Sequence, residues 1–214
     1  MSEASNIADP KPDRRARRRE ETRAKLLDSA RRLFGVQGVD ATRINEITEG
    51  ADVGFGSFYN YFEDKEAIAQ AVMAETLARE AGRIAEATTD LEDPAEVVSV
   101  AHRHFVRLAR SDPEWARLLV RMDDSHDVAR EKLGPFARRD LDSGLESGRF
   151  QVADPEVALF ATGGALLSIM EAVLQDLIPE ASDVIHAEGV LRLLGLTPEE
   201  AREVANRPFP DVSG

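Results

Sequence analysis

One face of a predicted short helix carries small and polar residues at Gly56, Ser57 and Asn60. Such a face fits the major groove of DNA, because small residues let the helix backbone approach the bases closely. Tyr59 and Tyr61 flank this face with hydroxyl groups that can reach phosphate oxygens. The spacing of these five residues therefore indicates a surface that binds double-stranded DNA.

Apolar residues on the opposite side predict how this helix is held. Phe58 and Phe62 are four positions apart, so they share a face that can pack against a preceding helix containing Ile47. Asp52 and Gly54 interrupt the helical pattern between the two helices. Aspartate tolerates left-handed backbone and glycine is an acceptable N-cap, so we expect a tight turn and a helix-turn-helix.

A longer pattern surrounds the two short helices and is specific only as a combination. Its residues are Phe34, Gly38, Thr42, Ile47, Val53, Gly56, Phe58, Tyr59, Tyr61, Phe62, Lys65 and Glu66. The stretch that contains them, Leu26 to Ile68, resembles the helix-turn-helix of the TetR family of transcriptional regulators. The chain departs from the family pattern at Ala51–Asp52, where a small residue followed by glycine is usual. It also departs at Phe55, where a polar residue is common, and this departure concerns the operator sequence.

The charge of the chain is unevenly distributed. The 214 residues carry a net charge of −13, yet residues 1–65 contain 12 basic and 12 acidic side chains. Between Arg14 and Arg43 there are 10 basic residues and only 4 acidic ones. A positive segment beside the helix-turn-helix can bind phosphates, while the acidic remainder keeps the rest of the protein away from DNA.

Five arginines between Arg14 and Arg19 precede an amphipathic helix that we predict over Glu20–Val36, with Gly38 as its stop. The arginines are either a solvated helix start or disordered tail, or an arm that follows phosphates or enters the minor groove. Lys65 resembles a phosphate-binding lysine of the family, or is a solvated lysine at a helix start. The predicted DNA-binding residues are Arg18, Arg19, Thr42, Arg43, Phe55, Gly56, Ser57, Tyr59, Asn60, Tyr61 and Lys65.

No segment needs a strand, so the predicted fold is all-α. We divide it into a disordered basic arm (1–19), a three-helix DNA-binding domain (20–66) and a helical body (67–214). The resemblance implies that the body binds an effector and dimerises. The sequence has no cysteine, which excludes disulfides and thiolate metal sites. It also lacks the apolar segment of a signal peptide, and its longest uncharged apolar run, Leu159–Met170, is too short for a bilayer span. We therefore expect a cytoplasmic protein without a membrane partner.

Several helix ends in the body are marked by capping residues. Asp64 is the predicted N-cap of a helix that starts at Lys65 and runs to about Ala87. Further helices are predicted to start at Asp112–Pro113, Asp154–Pro155 and Thr197–Pro198. Gly134–Pro135 is predicted to interrupt or kink a helix. The polar stretch 123–127 is predicted to be a loop.

The helix predicted over Val157–Ile178 is apolar nearly all round and must be covered on two sides. It is either monomer core or, as the resemblance implies, part of a four-helix dimer interface together with the following helix. A homodimer suits a protein that reads two half-sites. The predicted interface residues are Ala161, Gly164, Ala165, Ser168, Val190, Leu191 and Leu194.

Several large apolar residues lie on the helices that line the effector cavity in the TetR family. Each is either simple core or part of an apolar pocket for a small hydrophobic or aromatic molecule. Glu171 is a carboxylate within an apolar stretch, and its role as core acid, interface acid or ligand contact stays open. The predicted ligand-binding residues are Phe105, Trp115, Leu119, Met122, Phe136, Phe160, Met170 and Glu171.

Other titratable residues do not form a recognisable catalytic or metal site. His102 and His104 are two positions apart on a helix and so face different ways. His126 beside Asp123, Asp124 and Asp127 is a weak cation site or, more simply, a solvated loop. We predict no enzyme, cofactor or metal, but a repressor that a small hydrophobic ligand releases from a palindromic operator. Alternatives are a TetR-like regulator not gated by a small molecule, an architectural DNA-binding protein, and a helical enzyme.

Overall fold

The computed structural model describes residues 14–121 and 125–212. Within these ranges the chain forms ten α-helices and no strand, which confirms the predicted all-α fold. The helices form two compact units, Met1–Ile68 and Ala69–Gly214. The helices are α1 (Arg14–Ala41), α2 (Ile44–Gly50), α3 (Phe55–Phe58), α4 (Lys65–Ala87), α5 (Pro94–Ser111), α6 (Pro113–Arg121), α7 (Ser125–Glu146), α8 (Pro155–Leu174), α9 (Ser182–Leu193) and α10 (Pro198–Ala205).

The first helix starts earlier than the sequence predicted. Residues 14–19 are helical, so the prediction of a disordered arm is wrong for these arginines, and residues 1–13 of that arm lie outside the described residues. Arginine has a high helix propensity, which explains why the arginine-rich segment continues the amphipathic helix. The backbone leaves helical geometry at Gly38 (φ 78°, ψ 165°), as predicted for the stop.

The N-terminal unit is held by a small apolar core. Leu26 and Phe34 of α1 are buried together with Ile47 of α2, Phe58 of α3 and Phe62 just after α3. The rings of Phe58 and Phe62 are 5.8 Å apart between centroids, as their spacing of four residues predicts. This core fixes the orientation of α3 and leaves its other side free.

Helix ends in the C-terminal unit follow the predicted capping residues. The Asp154 carboxylate accepts a hydrogen bond from the Val157 amide (2.9 Å), with Pro155 in the first turn. Thr197 and Glu200 form a reciprocal capping box at the start of α10. These contacts satisfy amide groups that the first turn of a helix leaves without partners.

Helix α7 differs from its prediction in two places, at Gly134–Pro135 and at its start. It spans Ser125–Glu146 as one helix that contains Pro135, so Gly134–Pro135 does not end it. Pro135 and Glu131 are both exposed, and water can therefore reach the carbonyl that loses its amide partner. The predicted loop over 123–127 is wrong for residues 125–127, which are helical, and residues 123 and 124 lie outside the described residues.

Helix α5 is the centre of the C-terminal unit and contacts all five helices from α6 to α10. One apolar cluster contains Phe105 of α5, Trp115 and Leu119 of α6, and Met170 of α8, all buried. A second cluster contains Leu141 of α7 and the buried side of α9 and α10. These two clusters flank α5 and leave a cavity beside it.

Helix α8 has an unusual combination of length and composition. Among the described residues it is long and apolar enough to cross a membrane by length and composition alone, because the helix Pro155–Leu174 extends beyond the predicted apolar run Leu159–Met170 at both ends. Only four residues of α8 are buried, and they are Thr162, Leu166, Met170 and Val173. A core helix of a soluble protein can have the same composition. If the protein is soluble, the exposed apolar side of α8 must be covered by another protein surface.

The Gly195→Ala variant should be less stable than the wild type by about 2–4 kcal/mol. Gly195 has φ 98°, and a Cβ atom there would lie 2.5 Å from the carbonyl oxygen of Gln151. The matched variant Gly82→Ala adds a methyl to an open position in α4 and should not destabilise the protein. Urea unfolding of both variants checks the prediction, and equal stabilities would contradict it.

Candidate functional site

The turn between α2 and α3 has the geometry that its residues predict. Asp52 adopts the left-handed conformation, with φ 54°, which confirms that this aspartate replaces the usual glycine. The Asp52 amide donates to the Glu49 carbonyl (3.1 Å), and the Val53 amide donates to the Thr48 carbonyl (2.9 Å). Gly54 is the N-cap of α3, as predicted. The turn is therefore closed by backbone hydrogen bonds.

The predicted groove-facing residues lie on the solvent side of α3 and the turn after it. Phe55, Gly56, Tyr59 and Asn60 are exposed, whereas Ser57 is half-buried. The Phe62 amide donates to the Phe58 carbonyl (3.0 Å), so helical geometry continues past the end of α3. The Phe55 and Tyr59 rings meet edge to face with centroids 5.8 Å apart. Phe55 therefore packs against Tyr59 at the position where the family has a polar residue.

Thr42 corrects one of the predicted DNA contacts. Its side chain is 1% exposed, and its hydroxyl donates to the Gly38 carbonyl (2.7 Å). Gln37 Nε2 also donates to this hydroxyl oxygen (3.3 Å). The prediction of Thr42 as a DNA-contacting side chain is therefore wrong, because its hydroxyl already holds the corner between α1 and α2. The neighbouring Arg43 is exposed and stays available.

The arginines of α1 lie beside the end of the helix-turn-helix. The residues that line this shallow cleft are Arg15, Arg18, Arg19, Thr22, Asn60 and Tyr61. Arg18 and Arg19 are exposed, so their guanidinium groups can reach a phosphate next to the residue that faces the bases. The cleft brings together two predicted DNA-binding groups that are some forty residues apart in the sequence.

Lys65 lies at the start of α4, within the N-terminal unit. Its ammonium group donates to the Asp40 carbonyl (3.2 Å), which fixes it near the start of α2. An ammonium group has three donors, so two remain for a phosphate. Asp64 caps α4 as predicted, accepting from the Ala67 amide at 2.7 Å.

The C-terminal unit contains a cavity of about 130 Å³ between α4, α5, α7 and α8. Predicted ligand residues Phe105 and Phe136 line it. The other apolar lining residues are Ala81, Ile84, Ala85, Val98, Ala101, Leu133, Ala137, Leu141, Ala158, Leu159, Gly163, Leu166 and Leu194. A mostly apolar cavity with few polar groups is typical of a small-molecule site.

Four polar side chains that the sequence did not assign to a ligand also line the cavity, namely His102, Arg139, Asp140 and Thr162. The Asp140 carboxylate accepts from the Arg139 guanidinium (2.8 Å), and burial raises the pKa of Asp140. The Thr162 hydroxyl donates to the Ala158 carbonyl (2.9 Å) within α8. His102 faces the cavity from α5. Their positions come from packing between helices, and the sequence carries no local signal for them.

Most other predicted ligand residues do not line this cavity. Trp115, Leu119 and Met170 are buried in the apolar cluster around α5, so their assignment to the cavity is wrong. Phe160 is 63% exposed and lines a neighbouring groove of about 170 Å³ between α7 and α8, which shares part of its lining with the cavity. Glu171 is exposed and accepts from Gln175 (3.0 Å), so it is neither a core acid nor a cavity residue. Met122 lies outside the described residues.

The histidines behave as their spacing predicts. His104 contacts the Glu80 carboxylate of α4 (3.1 Å), while His102 faces α9, so the two do not share a site. Among the described residues no group of three histidine or acidic side chains is placed to hold a metal. His126 and its acidic neighbours at 123 and 124 lie outside the described side chains.

The predicted interface residues divide into two groups. Ala161 and Ser168 of α8 are exposed, and Gly164 and Ala165 are half-buried, so this side of α8 is open to a partner. Three other residues, two on α9 and one directly after it, were predicted to lie in the dimer interface. This prediction is wrong, because they are buried within the monomer. These residues are Val190, Leu191 and Leu194.

A different side of α9 is exposed, as is one side of α8. The large apolar residues that are exposed here are Val157, Phe160, Leu177, Ile185 and Leu193. Helices α8 and α9 pack against each other, so these residues belong to neighbouring elements of one unit. Exposed apolar residues in such numbers usually mark a contact with another protein.

Two family models match this chain. Residues 26–72 match the model described as bacterial regulatory proteins, tetR family, and residues 93–207 match the tetracyclin repressor-like C-terminal domain. The second match alone covers more than half of the chain. The protein belongs to the TetR family of transcriptional regulators.

Solved structures and curated proteins agree with this TetR-family assignment. The structure of RolR in complex with resorcinol is 42% identical, has a TM-score of 0.84, and covers 92% of this chain and 100% of that chain. An uncharacterised HTH-type transcriptional regulator of Mycobacterium tuberculosis is 31% identical over 101 residues, 47% of this chain and 50% of that relative. The match thus spans half the length of that relative. UidR of Escherichia coli is 22% identical over 81% of this chain and 91% of its own length.

Membership of the TetR family confirms a DNA-binding transcriptional regulator and excludes the helical-enzyme alternative. Dimerisation and small-molecule binding are typical of the family. Family membership does not specify which effector and which operator this regulator binds, so both must be inferred from the residues of this chain.

Proposed function

We propose that this TetR-family regulator is a cytoplasmic homodimeric repressor that leaves a palindromic operator when a small hydrophobic or aromatic molecule occupies the cavity. The observation that carries the proposal is the cavity itself, with Phe105 and Phe136 in its wall and few polar groups. An aromatic ring finds dispersion contacts with such walls, and Asp140 and His102 offer hydrogen bonds to substituents.

The size of the cavity narrows the ligand class. Its volume is about 130 Å³, close to the ~150 Å³ of an engineered apolar cavity that binds benzene. A single ring with one or two small substituents fits this space, whereas a fused or long-chain molecule requires the walls to move. RolR, which is 42% identical, was solved with resorcinol, a benzene ring with two hydroxyl groups. We therefore place the effector among hydroxylated single-ring aromatics.

Helix α4 supplies the route from ligand to DNA. It contributes Ala81, Ile84 and Ala85 to the cavity, and its first turn belongs to the DNA-binding unit. A ligand that fits one position of α4 better than another shifts the population towards that position. If the favoured position does not suit two successive half-sites, ligand and operator binding oppose each other through one equilibrium.

The test is operator release by a defined probe. DNA that binds the protein is selected from a random pool, and its binding is followed by fluorescence anisotropy with increasing resorcinol. We expect resorcinol to lower operator affinity over the concentration range in which it binds the protein, because both measure the same equilibrium. Binding of resorcinol without any change in operator affinity would favour the alternative of a regulator not gated by a small molecule.

The exposed residues after α3 and the α1 arginines should have different effects on DNA binding. We propose that Asn60 faces bases, so Asn60→Ala should change the ranking of operators, by about 1–3 kcal/mol at the contacted position. Arg19→Gln should weaken binding to all sequences alike and lower the salt slope by about one unit, because it removes one phosphate contact. Binding across an operator panel at several salt concentrations measures both effects.

Lys25→Gln provides the matched control for the arginine variant. Lys25 is exposed on α1 but does not line the cleft with Arg19 and Asn60, so its neutralisation should leave the salt slope nearly unchanged.

A uniform loss of affinity in Asn60→Ala would show that this residue does not read bases. The remaining proposed contacts are Arg18, Arg43, Phe55, Gly56, Ser57, Tyr59, Tyr61 and Lys65.

The exposed apolar side of α8 and α9 is the proposed dimer interface. Ala161, Gly164, Ala165 and Ser168 provide small residues for close approach between helices, and the large residues around them bury apolar area. Within the described part of the chain, a Cβ at Gly164 would meet no atom within 4 Å outside its own helical turn, which leaves space for a partner side chain. A two-fold interface is self-complementary, which fits a stripe that one protomer leaves uncovered.

A further inference from the structure

Two histidines, the half-buried His102 and the buried His186, connect the cavity wall to α9. His102 lines the cavity from α5, and its Nδ1 lies 3.0 Å from Nε2 of His186 on α9. The two rings are tilted, with centroids 5.1 Å apart. His186 is buried at 9% exposure, so the pair is a hydrogen bond within the α5–α9 packing and not a surface contact.

The pair shares one proton between two neutral rings. Burial lowers the pKa of His102 to about 3 and the pKa of His186 to about 4, so both imidazoles are neutral at neutral pH. A neutral imidazole carries one N–H and one acceptor nitrogen. The shared proton therefore sits either on Nδ1 of His102 or on Nε2 of His186.

The position of that proton decides what His102 offers to the cavity. With the proton on its Nδ1, His102 presents Nε2 as an acceptor. With the proton on His186, His102 presents an Nε2–H donor instead. Among the described residues no side chain or backbone group makes a hydrogen bond with Nε2 of His102, so a ligand can take that place. The pair is thus an adaptable polar group in an otherwise apolar wall.

We propose that Nε2 of His102 accepts a hydrogen bond from a phenolic hydroxyl of the effector, and that His186 orients the ring for this contact. The inference rests on the proposed function, since it assigns a specificity residue within the same cavity. A phenol is a better donor than acceptor, because its oxygen lone pair is delocalised into the ring. Its binding selects the arrangement in which His102 Nδ1–H donates to His186. Both rings stay neutral, because the proton that His102 loses from Nε2 is matched by one that His186 gains on Nδ1.

The arrangement also explains why His186 lies where it does. An imidazole that donates from Nδ1 to a fixed acceptor has one tautomer and one ring orientation, which a lone histidine in an apolar wall lacks. Hydrogen bonds in a chain polarise one another, so the ligand contact and the His102–His186 bond strengthen together. Ligand occupancy is thereby linked to the contact between α5 and α9.

The tautomers can be observed directly in the intact protein. Imidazole ¹⁵N NMR is recorded on the full-length protein alone, with resorcinol, and with toluene as a ring of similar size without hydroxyls. We expect resorcinol, but not toluene, to fix His102 with a protonated Nδ1 and a hydrogen-bonded, unprotonated Nε2. Unchanged nitrogen shifts with saturating resorcinol would overturn the inference.

Affinity measurements on variants provide the second readout. His102→Leu should weaken resorcinol binding about tenfold, the effect of one neutral hydrogen bond, and should not weaken toluene binding. His186→Leu should lower resorcinol affinity without touching the ligand, and His186→Gln should restore part of it through an amide that can accept from Nδ1–H. Thermal unfolding confirms that each variant is folded.

The outcomes separate this inference from the proposed function. If both probes bind and resorcinol releases DNA, but His102→Leu weakens resorcinol and toluene equally, His102 is only a wall residue and the repressor proposal stands. If neither probe binds the wild-type protein, the cavity is not the effector site and both proposals fall. Selective loss of resorcinol together with the tautomer change supports the pair as a hydroxyl-recognising device.

Discussion

The Ile185→Glu, Leu193→Glu double variant should be monomeric, with operator affinity lower by about 100- to 10,000-fold. Both residues are more than half exposed on α9, and a carboxylate on each would be buried without a partner in a dimer. A monomer reads one half-site at a time, so it loses the gain of simultaneous binding although its helix-turn-helix is unchanged. Sedimentation equilibrium and operator binding measure the two effects.

A matched control separates interface charge from net charge. Gln151→Glu, Ala153→Glu adds two carboxylates at exposed positions of the loop between α7 and α8, outside the apolar stripe. It should remain dimeric and bind the operator almost as the wild type does. The α9 variant should keep the wild-type affinity for an isolated half-site. A dimeric α9 variant would place the interface on another surface.

The interface illustrates what hydrophobic periodicity can and cannot predict. Helix α8 is apolar on several sides, and the sequence therefore predicted two covers for it, which is a correct requirement. Periodicity gives no reason to prefer Ile185 over Val190 as the outward residue of α9, because both are aliphatic. Only the packing of α9 against α5 and α10 shows that Val190 and Leu191 face inward and that Ile185 and Leu193 face outward.

The DNA-binding unit was more predictable because its signals are local. The apolar spacing, the turn residue Asp52 and the cap residues act within a few positions of one another, and the structure shows the predicted turn and caps. Thr42 was misassigned because a hydroxyl next to a basic residue is equally suited to a phosphate and to a backbone carbonyl. Its hydrogen bond to the Gly38 carbonyl depends on how the chain turns after the predicted stop at Gly38, and sequence spacing does not specify that path.

The cavity was the least predictable part, because it is formed by residues from four helices. Trp115 is large and aromatic, which favoured a ligand role, yet such a side chain also fills a core efficiently. Asp140 and His102 are polar residues on helices with many solvated neighbours, and nothing in their local pattern distinguishes them. Burial at a helix junction gives them their altered pKa values and their position beside the ligand space.

The Ala101→Phe variant should bind the operator but respond poorly to the effector. Ala101 lines the cavity from α5, and a phenyl ring there occupies the space of a single-ring ligand. Burying a ring contributes about 1.5–3 kcal/mol, so its exclusion should raise the resorcinol concentration needed for release by about 10- to 100-fold. Operator release by resorcinol, followed by anisotropy, measures this shift.

A graded series shows whether volume is the cause. Ala101→Val fills less of the cavity and should shift the response less than Ala101→Phe, whereas Ala153→Phe adds the same ring on an exposed loop and should not shift it. If Ala101→Phe lost operator binding as well, the added ring would be acting as a permanent ligand and holding the released state. Undiminished release in Ala101→Phe would contradict the cavity as the effector site, because ring and ligand cannot occupy one space of about 130 Å³.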